Sequence, residues 1–392
     1  MADMGHSQTR MASAGRRRRW AAVAGLAFFA AQPSATAPLQ PIDSHIAFRT
    51  QDDRDRRFAH MEHFYTGHRV AAGGRVRPLP AGAPLPIDEA IVSHFMAVSH
   101  AAALIVVQDG RIRLERYAPG RGPHDRWTSF SVAKSVTSTL VGAAIRQGAI
   151  RSLNDPVTAY LPTLEGTAYD GVTVADLLSM KSGVAWNEEY ADPQSDVVQL
   201  YASEAPKGES RTLNYLRRLP RAAAPGTRWH YNTGETDLVG ELVAAATHRT
   251  LSDFLSRAIW RPYGMADPAY WLTDGQGREA GGSGLSMTIR DMARLGELAL
   301  EGGAAIVPPG WFAEATRART SLDDKGDGYG LLWWTYPGDR FAARGIFGQS
   351  LWVDRPHRLV VAISADWPHA TDPALSAART AFEQAVADAA TR

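Results

Sequence analysis

The sequence predicts an α+β fold in which helices flank an antiparallel sheet and a helical lobe is inserted between the two halves of that sheet. Two β-rich runs between 103 and 117 are separated by Asp109-Gly110, a dipeptide typical of a tight hairpin turn. Strand-like runs return between 331 and 364, and an amphipathic helix pattern covers 371–389. Because helical patterns occupy the chain between these ends, we expect both ends to contribute strands to one sheet.

The middle of the chain shows the spacing of apolar residues that is typical of helices. The longest such pattern covers 131–147, contains no proline and a single glycine, and ends at Gly148. We expect it to form a buried central helix. Shorter helical patterns follow at 172–180, 236–246, 251–259 and 288–300.

The first 37 residues have the order of a secretory leader. Basic residues 16–19 come first, an apolar run follows over 20–31, and Ala35-Thr36-Ala37 fits a signal-peptidase cleavage site. The alternative interpretations are a disordered basic arm, or a mis-called start with Met11 as another start. Cleavage of the leader predicts a periplasmic or secreted protein, and an uncut leader predicts a cytoplasmic one.

The composition is that of an ordinary globular protein. The chain has 392 residues, of which 45% are hydrophobic and 21% charged. Residues 38–86 are rich in Arg, Gly and Pro, so we expect an irregular surface arm there. We expect residues 87–392 to form a single catalytic domain. The sequence does not determine an oligomeric state.

Several classes of function are disfavoured by the same numbers. A formal net charge of +1 gives no reason to expect a nucleic-acid partner. The absence of cysteine excludes disulfides and thiolate chemistry, and the 12 histidines lack metal-ligand spacing, so we expect neither a metal nor another cofactor. Beyond the leader, no apolar run is long enough to predict stable membrane insertion.

Lysine is rare in this chain, which draws attention to Lys134. Four of the 42 lysine and arginine residues are lysine. Arginine cannot release its proton at ordinary pH, so only lysine among these residues can act as a base. Lys134 follows Ser131 by three residues at the start of the predicted central helix, which places both side chains on one face. A lysine whose pKa is lowered by burial can accept the serine proton and so allow Ser131 to be acylated.

Two short patterns bear on this hypothesis. Ser131 also fits a helix cap, so the Ser-x-x-Lys spacing is not decisive by itself. Downstream, the turn at Pro225-Gly226 leads to Tyr231-Asn232-Thr233. A phenol hydrogen-bonded to an ammonium has a lowered pKa and can relay the serine proton to a leaving group, although Tyr231 also fits a packed core aromatic.

Taken together, these motifs resemble those of the penicillin-recognising serine hydrolases. Ser131-Val-Ala-Lys134 matches their first motif, Tyr231-Asn232-Thr233 their second, and Arg344-Gly345 stands on the strand that carries their third. The resemblance extends from about residue 102 to 385. It implies a serine β-lactamase/D,D-peptidase-like fold, with Ser131, Lys134 and Tyr231 as catalytic residues acting on a small-molecule ester or amide.

Within these hydrolases the chain is most similar to the 6-aminohexanoate-dimer (nylon oligomer) hydrolases. The similarity lies in Tyr169-Asp170-Gly171 and in the segments 187–193, 333–334 and 345–352. It implies that Tyr190 hydrogen-bonds the scissile group of the substrate. It also implies that the backbone N–H groups of Ser131 and Ile346 form the oxyanion hole, with Gly345 and Trp333 in the substrate site.

Two positions depart from the nylon-oligomer pattern. The residues that hold the amino end of the substrate in those enzymes correspond to Tyr201 and Ala280 here, so we expect poor cleavage of the linear amide dimer and retained cleavage of short esters. The third motif lacks the lysine or histidine of β-lactamases and peptidases. A D,D-peptidase or β-lactamase, and a non-catalytic penicillin-binding sensor domain, are nevertheless the alternatives.

Two further patterns have structural interpretations. Lys181-Ser182-Gly183 imitates the third motif, but it precedes Tyr231 and closes a helix, where Ser-Gly is an ordinary stop. Trp333 and Trp334 point to opposite faces if they lie on a strand. We therefore expect one of the two to face the substrate and the other to pack under the sheet.

Overall fold

The computed structural model describes residues 38–42, 46 and 48–392. These residues contain twelve β-strands: β1 Gly67–Val70, β2 Ala101–Gln108, β3 Arg111–Tyr117, β4 Arg126–Thr128, β5 Ala269–Leu272, β6 Leu285–Thr288, β7 Thr320–Ser321, β8 Gly328–Tyr329, β9 Trp334–Tyr336, β10 Arg340–Arg344, β11 Ser350–Asp354 and β12 Leu359–Ala365. They also contain twelve α-helices: α1 Gln51–Ala59, α2 Glu89–Val98, α3 Val132–Arg146, α4 Val174–Leu178, α5 Asp196–Ala202, α6 Arg211–Leu216, α7 Thr233–Thr247, α8 Leu251–Leu255, α9 Arg261–Tyr263, α10 Ile289–Leu300, α11 Trp311–Ala315 and α12 Pro373–Ala390. Single 3₁₀ turns at Met61–His63 and Ile346–Gly348 contribute to the site described below.

The main sheet joins the two ends of the chain, as the sequence predicts. Its strand order is β3-β2-β12-β11-β10-β9-β8-β7, and its neighbouring strands are antiparallel. The hairpin between β2 and β3 turns at Asp109 and Gly110. Their φ angles of 50° and 71° are both positive, as the tight type I′ hairpin turn requires. The predicted α+β class and the shared sheet are confirmed.

Alternate residues of the sheet face two different helical layers. Leu104 and Val106 of β2 belong to the hydrophobic core formed with α2 and α12, where Phe95 and Phe382 stack with ring centroids 4.2 Å apart. Ile105, the residue between them, belongs to the larger core that contains α3 and α10. This period of two follows from strand geometry and buries both faces of the sheet.

The central helix α3 lies in the larger core. Its residues from Val132 to Ala144 are buried, and the backbone turns at Gly148, where φ is 76°. The helix predicted over 131–147 is confirmed. Placed between the main sheet and α7, α3 is a rigid support for residues at its first turn.

A second sheet corrects the interpretation of the segment 38–86 as an irregular arm. This sheet has the order β1-β5-β6-β4, so β1 pairs along its length with β5. The segment also contains α1, which has acidic residues in its first turn and basic residues in its last. Because six of the nine residues of α1 are charged, its sequence has no apolar periodicity. The helix is stabilised instead by its dipole, by internal ion pairs and by tertiary contacts.

The predicted leader, residues 1–37, lies outside the described residues, so its cleavage and the export of the protein stay predictions. Among the residues that the structure does describe, no helix combines the length and apolar character that crossing a membrane requires.

Candidate active site

Ser131 occupies the position immediately before α3, at the meeting point of two cavities. It adopts a φ of −67° and a ψ of −3°, and 9% of its surface is exposed. Its side chain does not cap the helix. Because the residues that follow it are fixed in the core, the Ser131 hydroxyl is held at the floor of an accessible site.

Lys134 lies one turn further along α3, and 1% of its surface is exposed. Its Nζ atom lies 3.0 Å from Ser131 Oγ, 2.9 Å from Thr233 Oγ1 and 2.9 Å from the carbonyl oxygen of Gly282. The Gly282 oxygen can only accept a hydrogen bond, and the Thr233 hydroxyl donates its own proton to Glu188. Lys134 must therefore donate to both of these groups. In the neutral amine, the remaining lone pair is directed at Ser131 Oγ.

The surroundings of Lys134 allow a substantial fraction of its amine to be neutral at mildly alkaline pH. Burial lowers the pKa of Lys134 to about 8, against the opposing effect of the negative charges on Glu188 and Asp237. Without that burial the ammonium would hold its proton until near pH 10.4. The geometry and the lowered pKa together suit Lys134 to the role of general base toward Ser131.

Tyr231 differs from the sequence-based expectation in one respect. All three hydrogen bonds of Lys134 Nζ go to other groups, and the Nζ atom lies 5.1 Å from the centroid of the Tyr231 ring. Burial and the charge of Glu188 raise the pKa of Tyr231, and a hydrogen bond with Ser131 only partly opposes them. The expectation of a lowered phenol pKa is therefore wrong. A neutral Tyr231 beside Ser131 holds a proton that it can donate to a leaving group.

Two backbone N–H groups beside Ser131 are available to an oxyanion. In the part of the chain that the structure describes, neither the N–H of Ser131 nor that of Ile346 has a hydrogen-bond acceptor. Gly345 brings them near each other, because a Cβ atom at that position would lie 2.6 Å from the carbonyl oxygen of Ser129. Only glycine permits this approach of β10 to the Ser131 loop, which agrees with the predicted place of Gly345 and Ile346 in the site.

An aromatic cluster supports the backbone on both sides of this pair. Phe130 precedes Ser131 and Phe347 follows Ile346. Both phenylalanines adopt left-handed backbone angles, with φ values of 44° and 57°. Phe58 of α1 contacts both rings, with centroid distances of 5.0 Å and 5.5 Å. Non-glycine residues hold such backbone angles only where the surroundings enforce them, so α1 braces the two turns that carry the N–H groups.

Arg54 fixes α1 in that position. Its Nε atom lies 2.8 Å from Asp366 Oδ1 in a buried ion pair, and its Nη2 atom donates to the carbonyl oxygen of Trp367 at 2.9 Å. The guanidinium also lies 4.6 Å from the centroid of the Phe347 ring. An N-terminal helix and the end of β12 are thereby joined beside the candidate oxyanion hole.

Glu188 connects Tyr190 to the second motif. Its carboxylate accepts hydrogen bonds from the Tyr190 hydroxyl at 2.6 Å, from the Thr233 N–H at 2.9 Å, and from the Thr233 hydroxyl. Sequence reasoning did not single out Glu188, because it stands beside Glu189 and only the folded chain shows which carboxylate turns inward. The predicted role of Tyr190 in contacting the scissile group stays a prediction, and its hydroxyl is held beside the site.

Two cavities extend from Ser131 in different directions. The first, which we call the narrow pocket, measures about 70 Å³ and is lined by Ser131 and mainly apolar residues, among them Met61, Tyr65, Phe130, Val198, Tyr201 and Leu272. The second, the wide cleft, measures about 580 Å³ and is lined by Ser131 with polar and aromatic residues, among them Glu188, Tyr231, Asp327, Trp334, Arg344 and Arg379.

The structure corrects the predicted role of Trp333 in the substrate site. Trp333 is 2% exposed and packs edge-on against Phe312 and Phe341 under the sheet. Trp334 lines the wide cleft instead and stacks on Tyr231 with centroids 5.9 Å apart. One tryptophan on each face is as predicted, but the sequence could not tell which one because alternation does not set the absolute register of a strand.

The two positions that depart from the nylon-oligomer pattern have different surroundings. Tyr201 lines the narrow pocket, and its hydroxyl lies 3.0 Å from both Asp237 Oδ2 and Ser283 Oγ. Ala280 is buried, and its carbonyl oxygen accepts a hydrogen bond from Trp271.

All three residues of the Lys181-Ser182-Gly183 motif have structural contacts. Lys181 donates to the Arg319 carbonyl oxygen, the Ser182 hydroxyl donates to Glu235, and Gly183 makes a close turn with a φ of 77°.

The sequence matches a known protein family over most of its length. The model of the family described as Beta-lactamase matches residues 89–386. The chain belongs to the beta-lactamase family. As a member of this family it is a serine hydrolase, of the kind that acts on amide or ester bonds.

Relatives of this serine hydrolase differ in the reactions they are named for. A 6-aminohexanoate-dimer hydrolase of Paenarthrobacter ureafaciens is 31% identical over 287 residues, which are 68% of this chain and 72% of that protein. A beta-lactamase of Pseudomonas fluorescens is 24% identical over 170 residues, 42% of this chain and 44% of that one.

Solved structures extend the comparison of the fold. A Bacillus anthracis protein assigned as a 6-aminohexanoate-dimer hydrolase superposes with a TM-score of 0.76 at 21% identity, over 88% of this chain and 96% of its own. EstCE1, a hydrolase with promiscuous acyltransferase activity, superposes with a TM-score of 0.62 at 16% identity, over 77% and 97%. The predicted serine β-lactamase/D,D-peptidase-like fold is confirmed.

Proposed function

We propose that the protein hydrolyses carboxylic esters, and amides that fit the same site, through an acyl-enzyme on Ser131. The observation that carries the proposal is the hydrogen bonding of Lys134. Two of its three positions are taken by groups that require a donor, and the third faces Ser131 Oγ at 3.0 Å. A buried lysine with a pKa of about 8 in that position is suited to remove the serine proton.

The reaction then proceeds in two halves. Ser131 Oγ attacks the acyl carbon as its proton passes to Lys134, and the developing oxyanion is stabilised by the N–H groups of Ser131 and Ile346. The bond to the leaving group breaks as Tyr231 donates a proton to the departing oxygen or nitrogen, and the proton that Lys134 took from Ser131 then replaces the one that Tyr231 gave up. In the second half, water attacks the acyl carbon in place of the leaving group. Tyr231 accepts the water proton and passes its own proton to Lys134, which returns it to Ser131 Oγ as the acyl bond breaks.

The relatives support esters and amides together, and the structure favours esters over the linear amide dimer. Tyr201 stands where the nylon-oligomer hydrolases hold the substrate's amino end, and its hydroxyl is engaged by Asp237. No carboxylate is among the described residues that line the narrow pocket. An ammonium placed there would lack a counter-ion, so efficient cleavage of a charged dimer is not expected.

The D,D-peptidase or β-lactamase alternative requires a cation on β10 for the carboxylate of its substrate. Arg344 stands there, but its guanidinium is paired with Glu383, with 2.8 Å between Nη2 and Oε2. Its charge is therefore already neutralised. A fluorescent penicillin that formed a long-lived adduct would favour this alternative over ester hydrolysis.

The experiment that tests the proposed function is substitution of Ser131. We expect Ser131→Ala to reduce turnover of p-nitrophenyl butyrate by at least about 10³-fold, and to abolish the acyl adduct that mass spectrometry detects on the wild-type protein. Ser138→Ala is the matched control, because Ser138 is buried on the same helix and its hydroxyl bonds only the Leu331 carbonyl oxygen. Full activity in Ser131→Ala would refute the assignment.

A further inference from the structure

We propose that the narrow pocket receives the acyl group of the substrate, that it selects short uncharged acyl chains, and that the segment before the family domain supplies its specificity wall. Met61 and Tyr65 line this pocket, yet the family model matches only from residue 89. The inference rests on the proposed acylation of Ser131. It adds the class of acyl group and the part of the chain that chooses it.

The position of Tyr231 decides which cavity receives the acyl group. Tyr231 lines the wide cleft and is not among the described residues that line the narrow pocket. A proton donor must lie beside the atom that it protonates, so the leaving group departs on the side of the wide cleft. Since the acyl carbon is bonded to Ser131 between the two cavities, the acyl chain extends in the other direction, into the narrow pocket.

The chemistry of the lining excludes charge. Met61, Val198 and Leu272 come from three separate parts of the chain and present apolar surface to the same space. Two carboxylates lie behind the lining, and hydrogen bonds already engage both. Asp237 accepts from the Tyr201 hydroxyl at 3.0 Å and from the Gly282 N–H at 2.7 Å. Glu188 accepts from the Tyr190 hydroxyl at 2.6 Å and from the Thr233 N–H at 2.9 Å. An acyl chain that carried an ammonium would therefore be desolvated there without a partner.

The size of the pocket limits the length of the chain. About 70 Å³ is roughly half of the 150 Å³ cavity that admits benzene, which leaves room for about two or three carbon atoms. A propionyl or butyryl group fits this space beyond its carbonyl carbon. An octanoyl chain does not, unless a wall moves.

The N-terminal wall is firmly held. Met61 and Tyr65 are 2% and 1% exposed, and the Tyr65 N–H donates to the Met61 carbonyl oxygen at 2.9 Å. The next strand, β1, pairs with β5, and Gly67 of β1 lies opposite Leu272 of β5. On the other side α1 is tied to the main sheet by Arg54 and Asp366 at 2.8 Å. A wall with these attachments on both sides acts as a fixed boundary.

A pair of isosteric substrates tests the chemistry of the pocket in the unaltered enzyme. We would measure kcat/KM for the p-nitrophenyl esters of butyric acid and of β-alanine, whose terminal ammonium replaces the methyl group. We expect the butyrate to be preferred by a factor on the order of 100, because the ammonium has no partner in the pocket. Equal turnover of the two esters would overturn the proposal.

A substitution in the N-terminal wall tests its role in specificity. Met61→Ala removes the thioether arm from the pocket, and we expect it to shift the octanoate-to-butyrate ratio of kcat/KM roughly tenfold toward octanoate. Met292→Ala is the matched control, because Met292 is fully buried in α10 and does not line the pocket. The ratio of two substrates on one sample is independent of the fraction of protein that is folded.

The outcomes separate this inference from the proposed function. If the wild-type enzyme cleaves these esters in a Ser131-dependent manner but Met61→Ala leaves the ratio at the wild-type value, the inference about the wall is wrong and the acyl-enzyme mechanism stands. If neither ester is cleaved above the Ser131→Ala blank, the proposed function fails and the inference fails with it. If Met61→Ala does not fold, the butyrate and β-alanine pair still decides whether the pocket accepts charge.

Discussion

The two cavities that meet at Ser131 differ in size, lining and origin. The narrow pocket holds about 70 Å³ between apolar side chains, several of which come from the segment before residue 89. The wide cleft holds about 580 Å³ and is lined by charged and aromatic residues from β9, β10, α12 and the loop before β8. One nucleophile thus faces a small apolar space on one side and a large polar one on the other.

With the proposed acylation of Ser131, we expect this difference to give unequal selection of the two halves of the substrate. A small apolar pocket discriminates by volume and by the cost of burying charge. A large hydrated cleft can accommodate leaving groups of many shapes, provided that Tyr231 reaches the departing atom. We expect acyl specificity to be strict and leaving-group specificity to be broad.

The largest expected effect concerns the wide cleft and Tyr231. Tyr231→Phe should lower kcat/KM for ethyl butyrate by about 10³-fold, because the departing ethoxide needs a proton. The loss should be much smaller for p-nitrophenyl butyrate, since nitrophenolate leaves without one. Measurement of both esters on the same variant isolates the leaving-group side of the site.

Tyr329→Phe serves as its control, because Tyr329 lies in the same aromatic group, 6.2 Å from Tyr231 between ring centroids, and is 1% exposed. Equal losses on both esters in Tyr231→Phe would contradict the assignment of the leaving group to the wide cleft.

The next effect is common to both cavities, because Lys134 acts on Ser131 itself. The reactive form is the neutral amine, and the pKa of Lys134 is lowered to about 8. Below that pH the neutral fraction falls about tenfold per unit, so kcat/KM at pH 6 should be about 100-fold below its value at pH 9.

The midpoint of this pH profile should be the same for acetate, butyrate and octanoate esters. Lys134→Arg should abolish the activity, because a guanidinium keeps its proton throughout this range. A flat profile between pH 6 and pH 9 would exclude Lys134 as the base.

A smaller effect is expected where the narrow pocket and the oxyanion hole share a support. Phe58→Leu loosens the contacts with Phe130 and Phe347, and we expect kcat to fall about tenfold for short and long acyl esters alike. The free energy of unfolding should decrease by about 1–2 kcal/mol.

Phe95→Leu is the matched control, since Phe95 stacks on Phe382 on the opposite side of the sheet. It should cost similar stability and leave kcat near the wild-type value. Equal kcat losses in the two variants would show that Phe58 has only a structural role.

Much of the fold was accessible to sequence reasoning because it depends on local patterns. The hairpin at Asp109-Gly110, the helix over 131–147 and the closing helix each depend on residues close together in the chain. The sequence does not predict the regular structure within 38–86, because α1 is a charged helix. Its stability comes from ion pairs and from the contact of Arg54 with Asp366, 312 residues further along the chain.

The candidate site also combines features that depend on local sequence with features that depend on distant contacts. Ser131 and Lys134 could be paired from a spacing of three residues on one helix, and Tyr231 from its motif. The raised pKa of Tyr231 could not be predicted, because it depends on burial and on the approach of Glu188. The prediction of Trp333 in the substrate site is wrong, since the register of β9 is determined by its neighbours rather than by its own residues.

By itself, the sequence determined which residues are candidates for acyl transfer, because a serine and a lysine one helical turn apart are a local arrangement. Tertiary structure alone decided what surrounds them: Met61, Val198 and Leu272 are far apart in the chain and meet only in the folded protein. The shape and charge of a cavity are properties of such distant contacts, and no local pattern contains them.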